Sequence, residues 1–288
     1  MSDDDDWDQQ YRSDPRSTDD LIRLVLTKDA DDDDYWYPVW ILQHRLPEIM
    51  MPVSDLIKSS DAKSRETAAT ILGQNGVKNK RAVSQCVNLL AGMIHQETDV
   101  AVLSSIAFAM GHLHDPRCIE EVLSLTQHPN ADVRYAVVHS LTGHEDPKVI
   151  EAMIALSDDD DPDVRNWATF GIGSMIETDI PALREALFER LSETEQEIRL
   201  EAIVGLAQRG DIRIVVPLLD ELNKLESESP ENLRKWDLVH TACESILPFA
   251  QGGGDDRWLP VLEKFKTLGF VSGHAIQETI DQCRKSSP

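Results

Sequence analysis

Strand signals are nearly absent from this sequence of 288 residues. Alternating β-branched runs are missing, and so are the Asn-Gly turns that close hairpins, apart from an isolated Asn75-Gly76 read as a helix end. Cysteine is scarce: Cys86, Cys118, Cys243 and Cys283 lie far apart, in neither Cys-x-x-Cys nor metal spacing. That excludes a disulfide framework and points to reduced structural thiols, as in a cytoplasmic protein. The N-terminus has no apolar signal region, and no stretch approaches the roughly twenty apolar residues of a membrane span, so a soluble chain without a membrane partner is expected. Positive charge is also short: 28 Lys and Arg residues are scattered among 52 Asp and Glu. Phosphate binding needs clustered cations, which disfavours nucleic acid as a partner. Gly-x-Ser-x-Gly, P-loop and Gly-x-Gly-x-x-Gly patterns are missing, and Gly252-Gly253-Gly254 runs into Asp255-Asp256, which would repel a phosphate. No cofactor is expected.

What the chain has is repetition. The phrase Asp161-Pro162-Asp163-Val164-Arg165-Asn166-Trp167-Ala168 returns as Asp61…Arg65…Ala68, Asn130…Arg134…Val137 and Glu195…Arg199…Ala202. Asp99…Leu103…Ile106 keeps the frame without the arginine, and degenerate copies stand around Tyr35 and Val239. From anchor to anchor (35, 65, 103, 134, 165, 199, 239) the spacings are 30, 38, 31, 31, 34 and 40 residues. A unit of this length cannot close its own core and must stack on its neighbours.

The columns of this alignment define the unit. Apolar residues stand one before the anchor (Val102, Val133, Val164, Ile198) and again three and seven after it, a spacing of four that marks one helix face. Six after the anchor stand small residues, among them Ala109, Ser140, Gly171 and Gly205, which let a neighbouring helix come close. A second apolar run precedes each such helix, as at Val83 to Leu90 and Val149 to Leu156. Each unit is therefore a helix pair. The acidic or amide residue four before the anchor supplies an N-cap acceptor. The expected fold is all-α, a right-handed stack of about seven helix pairs, an α-solenoid.

These residues resemble the HEAT repeats, in the subtype first described in phycobilisome lyases: its Asp-x-Asp-x-Val-Arg-x-x-Ala-x-x-x-Leu-Gly consensus stands as Asp161 to Gly173 and partly as Asp61 to Gly73. The resemblance spans roughly residues 18–250. It leaves an acidic tail over 1–17, expected to be disordered because it cannot bury enough to order itself, and a helical C-terminal cap over 251–288. It is specific for fold and poor for function. A bilin-lyase subunit and a di-iron hydroxylase acting on deoxyhypusine both belong to repeat proteins of this kind. The hydroxylase holds its irons with several His-Glu pairs, and here only His144-Glu145 stands as one. No metal site or catalytic residue is assigned. His112-Leu113-His114-Asp115 reads as a helix end, and the run Asp158 to Asp161 as a turn and cap. The arginine column is expected to bond the acidic residues of the turns (Asp61, Asp99, Asn130 or Asp161).

Two features point to a function. The net charge is −24, with Asp3 to Asp6, Asp8, Asp14, Asp19 and Asp20 in the first twenty residues. Such a field steers a basic partner. With the apolar face buried, positions +1, +5 and +9 of each second helix line a concave side. That stripe holds Trp36, Trp40, Phe108, Tyr135, His139 and Phe170, with Tyr37 and Trp167 beside it, and also Leu200 and Val204. Aromatic rings are the usual anchors of protein interfaces, and Arg or Lys can stack on them while meeting carboxylates. The expected role is non-catalytic binding of a basic protein, as an adaptor or scaffold or as a bacterial immunity protein. The alternative is a subunit of a bilin-lyase-like or metal-dependent hydroxylase-like enzyme. Solenoids can pair along their edges, and nothing in the sequence specifies an oligomeric state.

Overall fold

The computed structural model describes residues 11, 13–28, 32, 34–45, 48–78, 82–225, 233–253, 256–268 and 273–286, and over these residues it has helices and no strand. The chain falls into two units, Met1–Leu141 and Thr142–Pro288. The first holds four helix pairs: α1 (Thr18–Leu26) with α2 (Trp36–Leu42), α3 (Met50–Ile57) with α4 (Ala62–Lys78), α5 (Val83–Ile94) with α6 (Val100–Leu113), and α7 (Arg117–Leu123) with α8 (Ala131–Leu141). The second holds four more: α9 (Pro147–Leu156) with α10 (Pro162–Phe170), α11 (Pro181–Arg190) with α12 (Gln196–Gln208), α13 (Val215–Leu225) with α14 (Leu233–Gly253), and α15 (Leu259–Leu268) with α16 (Gly273–Ser286).

The buried columns are those the repeat defines. Val102, Ile106 and Met110 of α6, Val133, Val137 and Leu141 of α8, and Ile198, Ala202 and Leu206 of α12 are buried, as are Ala242 and Ile246 of α14. Full burial of one such aliphatic chain contributes about 1.5–3 kcal/mol. The caps follow the sequence at most units. Asp99 accepts from the backbone N–H groups of Ala101 and Val102, and Asp161 from those of Asp163 and Val164. Asp61 accepts from Ser64 and Asn130 from Asp132. Glu195 makes no such bond; its longer side chain takes the Thr194 hydroxyl instead.

Small residues set how closely second helices approach. A Cβ added at Gly73 would lie 2.6 Å from the Ala109 Cα, one at Gly111 2.8 Å from the Ser140 Cα, and one at Gly205 2.5 Å from the Gly173 Cα. A glycine eight after one anchor thus meets the small residue six after the next anchor. The Ser140 hydroxyl seals such a contact by donating to the Ala107 carbonyl.

The arginine column is a structural ladder, with partners other than those expected. Each arginine donates to the backbone carbonyl six residues upstream: Arg65 to Ser59, Arg134 to His128, Arg165 to Asp159 and Arg199 to Glu193. The carboxylates that join it come from the following turn. Arg65 forks onto Glu97 at 2.7 and 3.1 Å, and Arg165 pairs with Glu193 at 3.3 Å. The aspartates four before the anchors are occupied as caps, so the arginines reach past them. Asn75-Gly76 is likewise not a helix end, since α4 runs on to Lys78. A lone helical glycine costs only about 1 kcal/mol, which the packing of α4 on α6 offsets.

In the second unit α10 continues as a π-helical turn, Gly171–Met175. Arg209, buried at the end of α12, closes it by donating to the carbonyls of Ile172, Gly173, Ile176, Thr178 and Gly205 at 2.6–3.3 Å.

Candidate partner-binding surface

In the first unit the second helices present their +1 and +5 positions on one side. Because +5 of one helix meets +1 and +5 of the next, Phe108 from α6 and Tyr135 and His139 from α8 form one cluster. Their ring centroids stand 6.4 Å (Phe108–Tyr135), 5.6 Å (Phe108–His139) and 4.6 Å (Tyr135–His139) apart, and all three are half-buried. Burial holds the His139 imidazole below its ordinary pKa.

Next to the cluster, α2, α4 and α6 enclose a cavity of about 340 Å³, half open to solvent. Trp36, Phe108 and His112 give it flat walls, and Glu66, Thr70 and Gln74 give it polar ones. Burial, and then the neighbouring His114, lower the His112 pKa and favour its neutral ring. Tyr35, at the back of the cavity, is buried.

Trp40 is 41% exposed and meets Tyr11, whose ring also lies 5.7 Å from Tyr37 and is stacked 6.0 Å from His44. Residues 1–10 of the expected acidic tail, and Asp31 and Asp33 of the second acidic run, lie outside the described residues. The described part of the tail packs on the first pair: Arg45 donates to the backbone carbonyls of Asp14 and Arg16. Tyr11 was missed by sequence reasoning. Its signal was an aromatic residue placed, like Trp7, in an otherwise acidic segment.

In the second unit Trp167 and Phe170 of α10 pack edge to face, 5.6 Å apart, both half-buried. The stripe then fails at α12. Leu200 and Val204, expected on the exposed side, are each 2% exposed. The reason lies in the middle of α12, where the near-continuous apolar run Leu200–Ala207 (interrupted by Glu201 and Gly205) is buried all round, while Glu197 and Gln208 at its ends are exposed. Even Glu201 is 2% exposed.

The polar groups weighed as ligands have structural partners. His114 closes α6 in the left-handed conformation, at φ 47°, and Asp115 accepts from the Arg117 guanidinium at 2.8 and 2.7 Å. Glu145 accepts from the backbone N–H groups of Glu177 and Thr178 and from the Thr178 hydroxyl. Asp158 pairs with Arg190 at 2.7 Å. Among the described residues no group of three or more His, Cys, Asp or Glu side chains is placed to hold a metal ion. All four cysteines are buried thiols outside any disulfide; burial pushes the Cys86 thiol up to about 11 and Cys118 to about 12. Among the described residues no helix is long and apolar enough to cross a membrane.

Residues 87–173, running from α5 to the end of the first pair of the second unit, match the family described as HEAT repeats. Over that stretch the chain is similar to HEAT repeats. Across 228 residues it is 27% identical to Protein YibA of Escherichia coli (strain K12), a stretch that makes up 77% of this chain and 75% of YibA. The X-ray structure of E. coli YibA superposes with a TM-score of 0.68 at 24% identity, covering 99% of this chain and 98% of that one. The fold is shared with a chain of the Kap95:Nup1 complex (TM-score 0.61, 16% identity, 96% of this chain and 42% of that one). A chain of the S. pombe condensin Cnd3–Cnd2 subcomplex is similar too (TM-score 0.56, 15% identity, 97% of this chain and 40% of that one). These structural likenesses establish the α-solenoid fold.

Proposed function

We propose that this HEAT-like protein is a non-catalytic binding solenoid that captures a basic protein on its aromatic, acidic face. The observation that carries the reading is the half-buried cluster of Phe108, Tyr135 and His139 beside an open cavity, in a chain of net charge −24. Rings held half-buried by their own neighbours lose little rotamer freedom when a partner covers them, which makes them good anchors. Trp36 lines the cavity, and Trp40 extends the surface around it. Trp167 and Phe170 offer a second aromatic patch in the other unit. That solved structures of similar fold were determined as complexes with other proteins supports the reading at the level of architecture. The adaptor and the immunity-type versions share this chemistry and differ only in what the captured protein does. The closer likeness to the phycobilisome-lyase subtype rests on the phrase Asp161 to Gly173.

Affinity capture from native lysate at low and high salt, with the captured proteins identified by mass spectrometry, tests the reading. One strongly basic protein recovered in stoichiometric amount and weakened by salt is the expected result. A partner that is neutral or acidic, or whose capture is unchanged by salt and by Phe108→Ala with Tyr135→Ala, contradicts it.

A further inference from the structure

The cavity between α2, α4 and α6 has a composition that selects among cations. Its walls include Trp36, Phe108 and His112, and its polar lining includes Glu66, Gln74, Thr70 and Ser105. A planar, weakly hydrated cation stacks on such rings while its N–H groups fork onto a carboxylate; a compact, strongly hydrated ammonium gains less from the same walls. Gln74 and Thr70 are already oriented. Gln74 accepts from Gln43 through its carbonyl oxygen at 3.1 Å, which turns its NH₂ group away from that partner, and the Thr70 hydroxyl donates to the Glu66 carbonyl. Those bonds leave hydroxyl and carboxylate lone pairs to accept from a ligand.

We propose that this cavity is the seat of one arginine side chain of the partner, its guanidinium between the aromatic walls and paired with Glu66. The assignment rests on the basic-partner reading and deepens it. A cation of this chain already samples the same chemistry: the Lys63 ammonium lies 5.8 Å from the centre of the Tyr35 ring and 3.5 Å from the Glu66 carboxylate. Tyr35 and Glu66 both line the cavity. Lys63 meets Glu66 three residues along the same helix, a kind of pair that contributes little. A guanidinium entering the cavity makes two charge-assisted bonds and displaces it. Lys63 is thus a built-in competitor.

The test uses the full chain and three small probes: the N-acetyl amides of arginine, lysine and citrulline, the last a neutral isostere of arginine. The readout is the indole N–H signal of Trp36 in an NMR titration, assigned by its loss in Trp36→Phe. The arginine probe is expected to shift that signal saturably, with an affinity on the order of millimolar for so small a ligand. Lysine is expected to bind about fivefold more weakly, and citrulline not at all. Glu66→Gln is expected to weaken arginine about tenfold, and Lys63→Ala to tighten it about threefold. Equal shifts from all three probes, or no saturable shift, overturn the assignment.

A second pair of probes separates this failure from failure of the parent reading. Arginine-only and lysine-only peptides of equal length and charge are titrated against wild type, Glu66→Gln and Tyr135→Ala. Arginine peptides favoured, with that preference lost in Glu66→Gln, support the cavity assignment. If both peptides bind equally and only Tyr135→Ala weakens them, the basic-partner reading stands and the arginine seat is refuted. If neither binds, both are refuted.

Discussion

Positions +1 and +5 of the second helix carry Tyr135 and His139 in α8 and Leu200 and Val204 in α12, and the two pairs meet opposite fates. The first pair stays half-buried beside Phe108, while the second is sealed in the core. Register within a repeat fixes which way a side chain leaves its helix. Whether that direction ends in solvent depends on the rest of the helix. Polar residues such as Asp132 flank the surface positions of α8 and keep it at a boundary. The middle of α12 is buried on all sides over residues 200–207, with a glycine contact to the turn at Gly173 and Arg209 clamped over its end. Helix α8 leaves these positions at the surface, whereas α12 buries them.

Substitutions sharpen this contrast. The largest effect is expected at Arg209. Replacing it with Met leaves five carbonyls without their charged donor, and the loss should be on the order of 3 kcal/mol or more, read by urea unfolding. Arg209→Lys should recover only part of it, because an ammonium cannot span the fork. An Arg209→Met protein as stable as wild type would remove the clamp from the account.

Next come the glycine contacts. Gly73→Ala and Gly205→Ala each push a methyl to within 3 Å of a neighbouring backbone and should cost about 1–3 kcal/mol. Gly92→Ala has no atom within 4 Å and should stabilise by up to about 1 kcal/mol. Thermal unfolding of the three variants checks the sign, which is opposite for the open and the closed glycine.

A smaller effect is expected in acid. The Arg65 hydrogen bonds hold Glu97 down to about 2, against an ordinary 4.5. A carboxyl depressed in the folded state contributes stability that is complete above 4.5 and lost as pH falls toward 2. Glu97→Gln should therefore be less stable than wild type at pH 6, with the difference shrinking through that window; a constant difference would mean that the Arg65 pair is not its source. The smallest effect is expected at His139. Its pKa is lowered by burial, so the folded protein resists protonation that the unfolded chain accepts, and stability should fall as pH drops below 6.5. His139→Gln should flatten that part of the pH curve.

Much of this was legible in the sequence. The spacing of Val102, Ile106 and Met110 announced a buried face, and the repeat of small residues after each anchor announced close helix contacts. Register alone put Phe108, Tyr135 and His139 on one stripe; that their rings meet depends on how α6 packs on α8. What was not legible depended on contacts between repeats. The arginines find Glu97 and Glu193 rather than the capping aspartates because the caps are satisfied locally first. The π-turn at Gly171–Met175 and the five bonds of Arg209 need the three-dimensional meeting of α10 and α12. Tyr11 sits far in sequence from Trp40 and His44, so no periodicity could place it there.

The most direct measurement pairs two readouts on two variants: affinity for the captured basic protein, and the unfolding midpoint, for Phe108→Ala with Tyr135→Ala and for Val204→Ala. The account predicts that the aromatic variant loses partner affinity by tenfold or more with helicity retained, while Val204→Ala loses about 1–3 kcal/mol of stability and binds normally where folded. If the aromatic variant binds as tightly as wild type, or the Val204 variant loses affinity without losing stability, the division between a contact face and a sealed core is wrong.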